Sequence, residues 1–184
     1  MANRLEGKRI IITGAVNNIG KCAVKQFVAE GARVVIGDRD EAGALTAAEF
    51  GTNVTFIKVD VTSEYSVQNL IERGTEWLGG LDVLAQNAGM QFSGAITDFD
   101  ADKWDKLFAV NSRAHFFGAK YAIPHLLKNG GGSIINTSSL AGKRGVYDVT
   151  KWMKDHPGGK VPLVNWSGKD ASDRFKKVHK DAIA

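Results

Sequence analysis

The sequence predicts an α/β fold, a doubly wound parallel sheet with helices on both faces. Three observations carry that reading. Apolar runs of strand length alternate with longer stretches of helical periodicity. The first run turns at a glycine and enters a helix, and polar residues collect where later strands end.

The first strand is Ile10-Ile11-Ile12, which stops at Thr13-Gly14, passes a turn of small residues and enters a helix at Ile19-Gly20. Ile19, Ala23 and Phe27, with Val24 and Val28, recur at helical spacing and predict its buried side. A buried strand delivered to a helix start gathers free backbone N–H groups and the positive end of the helix dipole at one point. That arrangement suits a pyrophosphate. Gly14 permits the tight turn and Gly20 a close approach, while Asn18 stands where a third glycine is expected. Asn tolerates the left-handed conformation better than other side chains. A strand–helix turn with no ligand is the plainer alternative.

Arg33 to Gly37 is the second strand, and Asp38 ends it eighteen residues after Gly20. A carboxylate there accepts hydrogen bonds from ribose hydroxyls and repels a 2′-phosphate, favouring NAD over NADP. Arg39 beside it softens that preference, and Asp38 also suits the role of cap for the next helix. The glycine turn and the acidic strand end together make the predicted sheet Rossmann-like.

A helix near Glu41 to Phe50 precedes a third strand over Asn53 to Asp60. Ser63 to Trp77 is amphipathic through Val67, Leu70, Ile71 and Trp77, with Ser63 as N-cap. Leu81 to Ala85 is a fourth strand opening into Gln86 to Gly89. One long helix is predicted from Asp100 to Leu127, with Trp104, Leu107, Phe108, Asn111 and His115 along one side. Gly130 to Gly132 ends it, and Ser133 to Asn136 is the fifth strand, leading into Thr137-Ser138-Ser139. Parallel sheets of this kind take ligands beyond the carboxyl ends of their strands. Asp60, Asn87 and Ser138-Ser139 gather there, and Asn111 is a polar residue on an otherwise apolar side.

The 184 residues suffice for one domain with a substantial core. No apolar run approaches membrane-spanning length, and the charged start, MANRLEGKR, is unlike a secretory signal. The lone Cys22 offers no disulfide, fits a reducing, cytoplasmic compartment, and is expected to pack within the first helix. Residues 1–142 carry 14 basic and 15 acidic side chains, and residues 143–184 carry 10 and 5, so the net charge of +4 comes from the tail. No basic helix face with interleaved aromatics accompanies it, so a solvated surface is expected rather than a nucleic-acid or membrane partner.

Residues 5–142 resemble the short-chain dehydrogenase/reductase family. The matching motifs are TGAVNNIG, Asp38, the run Asp60-Val61-Thr62, Asn87-Ala88-Gly89, Asn111 and IINTSS. The resemblance implies that Thr13, Gly14, Asn18, Ile19 and Gly20 hold the dinucleotide with Asp38. It further implies that Asp60 and Val61 contact adenine, and that Asn87, Ala88 and Gly89 support the strand beside the cofactor. Asn111 would belong to a proton relay and Ser139 would hold the substrate oxygen. In such enzymes a tyrosine exchanges the proton, and a lysine four residues on lowers its pKa. Tyr147 and Lys151 have that spacing, which places both on one face of a helix.

After Lys151 the sequence departs from that family. Tyr147 lies eight residues past Ser139, a shorter loop than the family's, and no sixth strand or substrate-covering helices are legible. Residues 145–184 resemble the haem-binding part of the cytochrome b5 family through VYDVTK, His156-Pro157-Gly158-Gly159, GKDAS at 168–172, Phe175 and His179. The resemblance implies haem b with His156 and His179 as its two iron ligands, a pairing suited to electron transfer. The string YDVTK belongs to both resemblances. The expected organisation is a dinucleotide-binding domain over 1–142 and an irregular helical tail over 143–184 that does not fold alone.

Without the family's covering helix, Trp104, Phe108, Phe116 and Phe117 lack a partner, which predicts a homo-oligomer through the 100–127 helix. The alternative cover is the tail's own Trp152, Val161, Leu163, Val164, Trp166 and Phe175. Three functions stay open: an NAD-dependent oxidoreductase acting on a small alcohol or carbonyl substrate, a dinucleotide-binding module without catalysis, and a cytochrome b5-like electron carrier.

Overall fold

A computed structural model describes residues 3–139. The chain divides into two units, Met1–Thr137 and Ser138–Ala184. Tyr147, Lys151, His156, His179 and the six apolar tail side chains lie outside the described residues.

The first unit holds a five-stranded, all-parallel sheet in the order β3-β2-β1-β4-β5. Its strands are β1 (Arg9–Thr13), β2 (Arg33–Asp38), β3 (Val54–Lys58), β4 (Val83–Gln86) and β5 (Ser133–Asn136). The main helices are α1 (Asn18–Ala29), α2 (Gly43–Ala48), α3 (Glu64–Leu78), α4 (Ala101–Phe108) and α5 (Ala114–Lys128). The order reverses between β1 and β4, and such a switch point opens a crevice at the carboxyl ends of the strands.

Strand alternation sorts the core onto two faces. Ile11, Val35, Ile57 and Leu84 pack with Leu70 and Ile71 of α3 and with Phe117 and Leu126 of α5. Ile10, Ile12, Val34, Ile36 and Ala85 pack on the other face with Val24 of α1 and Ala47 of α2. The sheet is therefore doubly wound, as its near-continuous apolar strands predict.

Local sequence explains the ends. The Ser63 hydroxyl accepts from the Ser66 N–H at 3.3 Å, capping α3 as expected, and Gly79 closes that helix in the left-handed conformation at φ 76°. Glu64 joins α3 to α5 by accepting from Lys120 Nζ at 2.7 Å and from the Tyr121 hydroxyl at 2.9 Å. At the amino end of the sheet Arg9 Nε donates to Asp82 Oδ2 at 2.8 Å, tying β1 to the turn before β4.

Four expectations change. The helix read over 100–127 is α4 and α5 joined by a π turn over Ala109–Arg113, with Asn111 inside it. The widened turn occurs where the Asn111 amide bonds the backbone of Met90 instead of lying flush on the helix. Ile19 is 73% exposed, because the first turn of α1 faces the crevice rather than the core. Cys22 is exposed rather than packed. Trp104, Phe108 and Phe116 are exposed as the missing cover predicts, but Phe117 is buried against the sheet.

Candidate active site

The loop from β1 to α1 is built for close backbone approach. Gly14 has φ +68°, and a Cβ added there would lie 2.6 Å from the Ala88 Cα. Asn18 adopts φ +49°, the left-handed conformation anticipated for the residue replacing a glycine. The ends of β1 and β4 clasp each other beside this loop. Asn87 Nδ2 donates to the Gly14 carbonyl at 2.7 Å, and the Ala88 N–H donates to Thr13 Oγ1 at 3.2 Å.

A crevice of about 610 Å³ opens over these groups. It brings together Gly14, Asn18, Ile19 and Gly20 from the loop, Asp38 from β2, Asp60 and Val61 after β3, and Asn87 to Gly89 after β4. Thr13 alone among the predicted cofactor residues does not line it. That side chain is buried beneath the crevice, where its hydroxyl serves the Ala88 N–H.

Asp38 lines the crevice and does not cap the next helix: α2 has Ala42 at its N-cap with no side-chain cap. The Asp38 Oδ2 accepts from the Val16 N–H at 3.3 Å and its Oδ1 from the Asp40 N–H at 3.1 Å. Those bonds fix the carboxylate at the crevice wall. Asp60 Oδ1 accepts from the Thr62 hydroxyl at 2.7 Å and the Thr62 N–H at 2.9 Å. These bonds, and more weakly the charges of Arg39 and Lys106, hold the Asp60 carboxyl below its usual range.

Asn111 holds the loop after β4. Its Oδ1 accepts from the Met90 N–H at 2.9 Å, and its Nδ2 donates to the Met90 carbonyl at 2.8 Å. Ser139 is exposed and belongs to the second unit. Sequence reasoning missed Asn17, Lys106, Val110 and Thr137, which also line the crevice. Lys106 and Val110 stand four residues apart and share one helix face, but they lie five and one residues from Asn111, so helical period from Asn111 does not pick them out.

Deeper in the sheet, buried Gln86 donates through Nε2 to Asn136 Oδ1 at 2.8 Å and to the His115 carbonyl at 3.2 Å. The His115 Nε2 is enclosed with no hydrogen-bond partner among the described residues, and burial lowers the pKa of that imidazole.

A parallel sheet with a glycine turn at its switch point defines an α/β protein of the Rossmann type. The family model for short chain dehydrogenases matches residues 8–152, and the chain belongs to that family. A second model, the cytochrome b5-like heme/steroid binding domain, matches residues 136–184, so both cover residues 136–152. The chain is 45% identical over 146 residues to a 2,5-dichloro-2,5-cyclohexadiene-1,4-diol dehydrogenase of Sphingobium indicum, covering 77% of this chain and 58% of that protein. It is 35% identical to a 3-alpha-(or 20-beta)-hydroxysteroid dehydrogenase of Mycobacterium tuberculosis, over 92% of this chain and 76% of that one. A meso-2,3-butanediol dehydrogenase of Serratia marcescens is 34% identical over 87% of this chain and 70% of its own length. Among the described residues no helix is long and apolar enough to cross a membrane.

Proposed function

We propose that the chain is an NAD(P)-dependent oxidoreductase of the cytoplasm that moves a hydride between nicotinamide and a small alcohol or carbonyl substrate. The observation that carries this is the meeting of Gly14, Asn18, Asp38, Asp60 and Asn87 in one crevice, from four separate stretches of sequence. The dehydrogenase names of all three relatives support it. The crevice fits a dinucleotide: the glycine loop leads into the amino end of α1, where free backbone N–H groups suit a pyrophosphate, and Asp38 offers acceptors at the strand end.

When bound, the nicotinamide accepts or supplies the hydride. The loop residues Gly14, Asn18, Ile19 and Gly20 hold the pyrophosphate end, with Thr13 acting from below. Asp38 takes the ribose, Asp60 and Val61 the adenine, and Asn87, Ala88 and Gly89 the strand beside the cofactor. Tyr147 exchanges the proton with the substrate oxygen, Lys151 stabilises the phenolate, and Ser139 orients that oxygen. A free phenol titrates near about 10, so Tyr147 needs the Lys151 ammonium to work at neutral pH. Asn111 supports the relay by fixing the Met90 backbone.

Dinucleotide binding falls to residues 1–142 as one domain, and the appended tail over 143–184 supplies Tyr147 and Lys151. The exposed aromatics of the 100–127 helix join copies of the chain. NADH fluorescence titration of the full chain, followed by turnover assays on small alcohols and ketones, tests the reading. Saturable binding with turnover abolished in Tyr147→Phe is the expected result; no binding at millimolar NADH overturns it. Binding without turnover by the unaltered chain would leave a dinucleotide-binding module.

The match of residues 136–184 favours a second reading, haem b held by His156 and His179. Reconstitution with haemin tests it: a Soret band lost in His156→Ala and His179→Ala supports the assignment, and no band refutes it.

A further inference from the structure

The amino edge of the sheet carries a reactive dipeptide that the dinucleotide reading does not use. Of the chain's asparagines, Asn129 alone is followed by a glycine. Asn129 is exposed at the end of α5. Gly130 and Gly131 continue the chain at φ +84° and +118°, with no atom within 4 Å of where either Cβ would stand. In an Asn–Gly pair the next peptide nitrogen reaches the side-chain carbon most freely, because no β-carbon restricts or shields it.

Here both reacting groups are engaged. The Asn129 Oδ1 accepts from Arg9 Nη2, and its Nδ2 donates to Asp82 Oδ1 at 2.7 Å. Arg9 also donates to Asp82 and to the Gly79 carbonyl, so Asn129 completes the joint between β1, the turn before β4 and the end of α5. The Gly130 N–H donates to the Leu127 carbonyl at 3.0 Å, and the Gly131 N–H to the Leu126 carbonyl at 2.8 Å. We propose that Asn129 is a site of spontaneous modification to aspartate or isoaspartate, restrained by Arg9 and Asp82 while the joint is shut and weakening that joint once it has occurred.

The chemistry needs only water. When the joint opens locally, the Gly130 nitrogen gives its proton to hydroxide and attacks the Asn129 Cγ. A C–N bond forms and the Cγ–Nδ2 bond breaks. The departing nitrogen takes a proton from water and leaves as ammonia, and a five-membered imide remains. Water then opens the ring at either carbonyl. Aspartate sets a carboxylate oxygen against Asp82 where an amide donor stood, so two carboxylates share one guanidinium and repel each other. Isoaspartate lengthens the main chain by one methylene, which displaces the turn that Gly131 closes.

The experiment is incubation of the full chain in mildly alkaline buffer, with peptide mapping by mass and isoaspartyl methyltransferase labelling. The original chain, Arg9→Met and Gly130→Ala are compared, folded and in urea. Conversion at Asn129 is expected in the folded original chain and lost in Gly130→Ala. In folded Arg9→Met it should run about tenfold faster, the scale of one hydrogen bond to a charged group. In urea, where no joint exists, the original chain and Arg9→Met should convert at one rate. Equal rates in the two folded chains overturn the restraint, and no conversion in either while the unfolded chains convert overturns the site. Asn129→Asp reads the consequence: its urea midpoint should fall below the original at neutral pH, the gap closing as pH drops through the carboxylate range. An unchanged midpoint overturns the weakening.

Discussion

The two halves of the sheet obey the same alternation and reach opposite outcomes. In β2, Val34, Val35 and Ile36 are fully buried, because α1 and α2 cover one face and α3 the other. In β5, Ile134 packs toward α5, whereas its neighbour Ile135 is 50% exposed. Its face of the strand has no covering helix among the described residues. The exposed Trp104, Phe108 and Phe116 lie on helices of the same half. An apolar pattern states which side chains need cover; neighbouring elements decide whether they receive it.

One chemical change at two sites gives the sharpest contrast. Ile36→Ala should cost about 2–5 kcal/mol in urea unfolding, through lost transfer energy and a cavity. Ile135→Ala, at a half-exposed position, should cost less than about 1 kcal/mol. Equal losses would show that the open face of β5 is covered after all.

Gly14→Ala tests the nucleotide half next. The substitution forces a side chain into φ +68° and against Ala88, so about 1–3 kcal/mol of stability should go. NADH affinity should fall in the same titration, because the loop must shift to relieve the contact. A variant that keeps both would mean the tight turn is not needed.

The nucleotide half was also the more legible in sequence. Gly14 and Asp38 announce themselves by type and spacing, and alternation places Ile10 to Ile12 and Val34 to Ile36 without help. Asn18 was legible as a glycine substitute because so few residue types accept its backbone conformation. The π turn was not legible. Nothing in the period from Asp100 to Leu127 reveals it, since its visible partner is the backbone of Met90, and backbone partners leave no mark in a sequence. Lys106 was passed over for a related reason. A lysine on a helix reads as solvated surface until the fold sets it beside Asp60. Ile19 misled because its spacing fits the buried stripe of α1 while its first turn opens on the crevice.

The halves are joined at the opposite edge by Arg9 and Asp82, and acid should loosen that joint. Arg9 holds the Asp82 carboxyl down at about 2, against 3.8 unperturbed, mainly through its hydrogen bonds. A depressed carboxyl contributes its full stability above the unfolded value and loses it as pH falls through the folded one. The contribution is at most about 2 kcal/mol, present above pH 3.8 and fading toward pH 2. Unfolding midpoints for the original chain and Arg9→Met should differ more at pH 6 than near pH 2, where only the bonds of Arg9 to Gly79 and Asn129 remain.

His115 gives the smallest effect, and it belongs to the open half. Its imidazole lies in the first turn of α5 with Nε2 enclosed and unpartnered among the described residues, while its carbonyl receives the Gln86 amide that also holds β5. Burial lowers the imidazole pKa from 6.5, so the folded chain keeps it neutral while the unfolded chain takes up a proton. Stability is therefore complete above pH 6.5 and declines as pH falls toward the folded value, the reverse of a histidine held by a carboxylate. Urea midpoints measured from pH 7.5 to about 5.5, where few carboxyls titrate, isolate the effect. His115→Leu should flatten the slope without disturbing the backbone bond to Gln86. An unchanged slope would mean that β4, β5 and α5 separate readily enough for water to reach the ring. The open half would then be looser than its buried Gln86 bonds imply, and the contrast between the two halves would be greater than exposure alone shows.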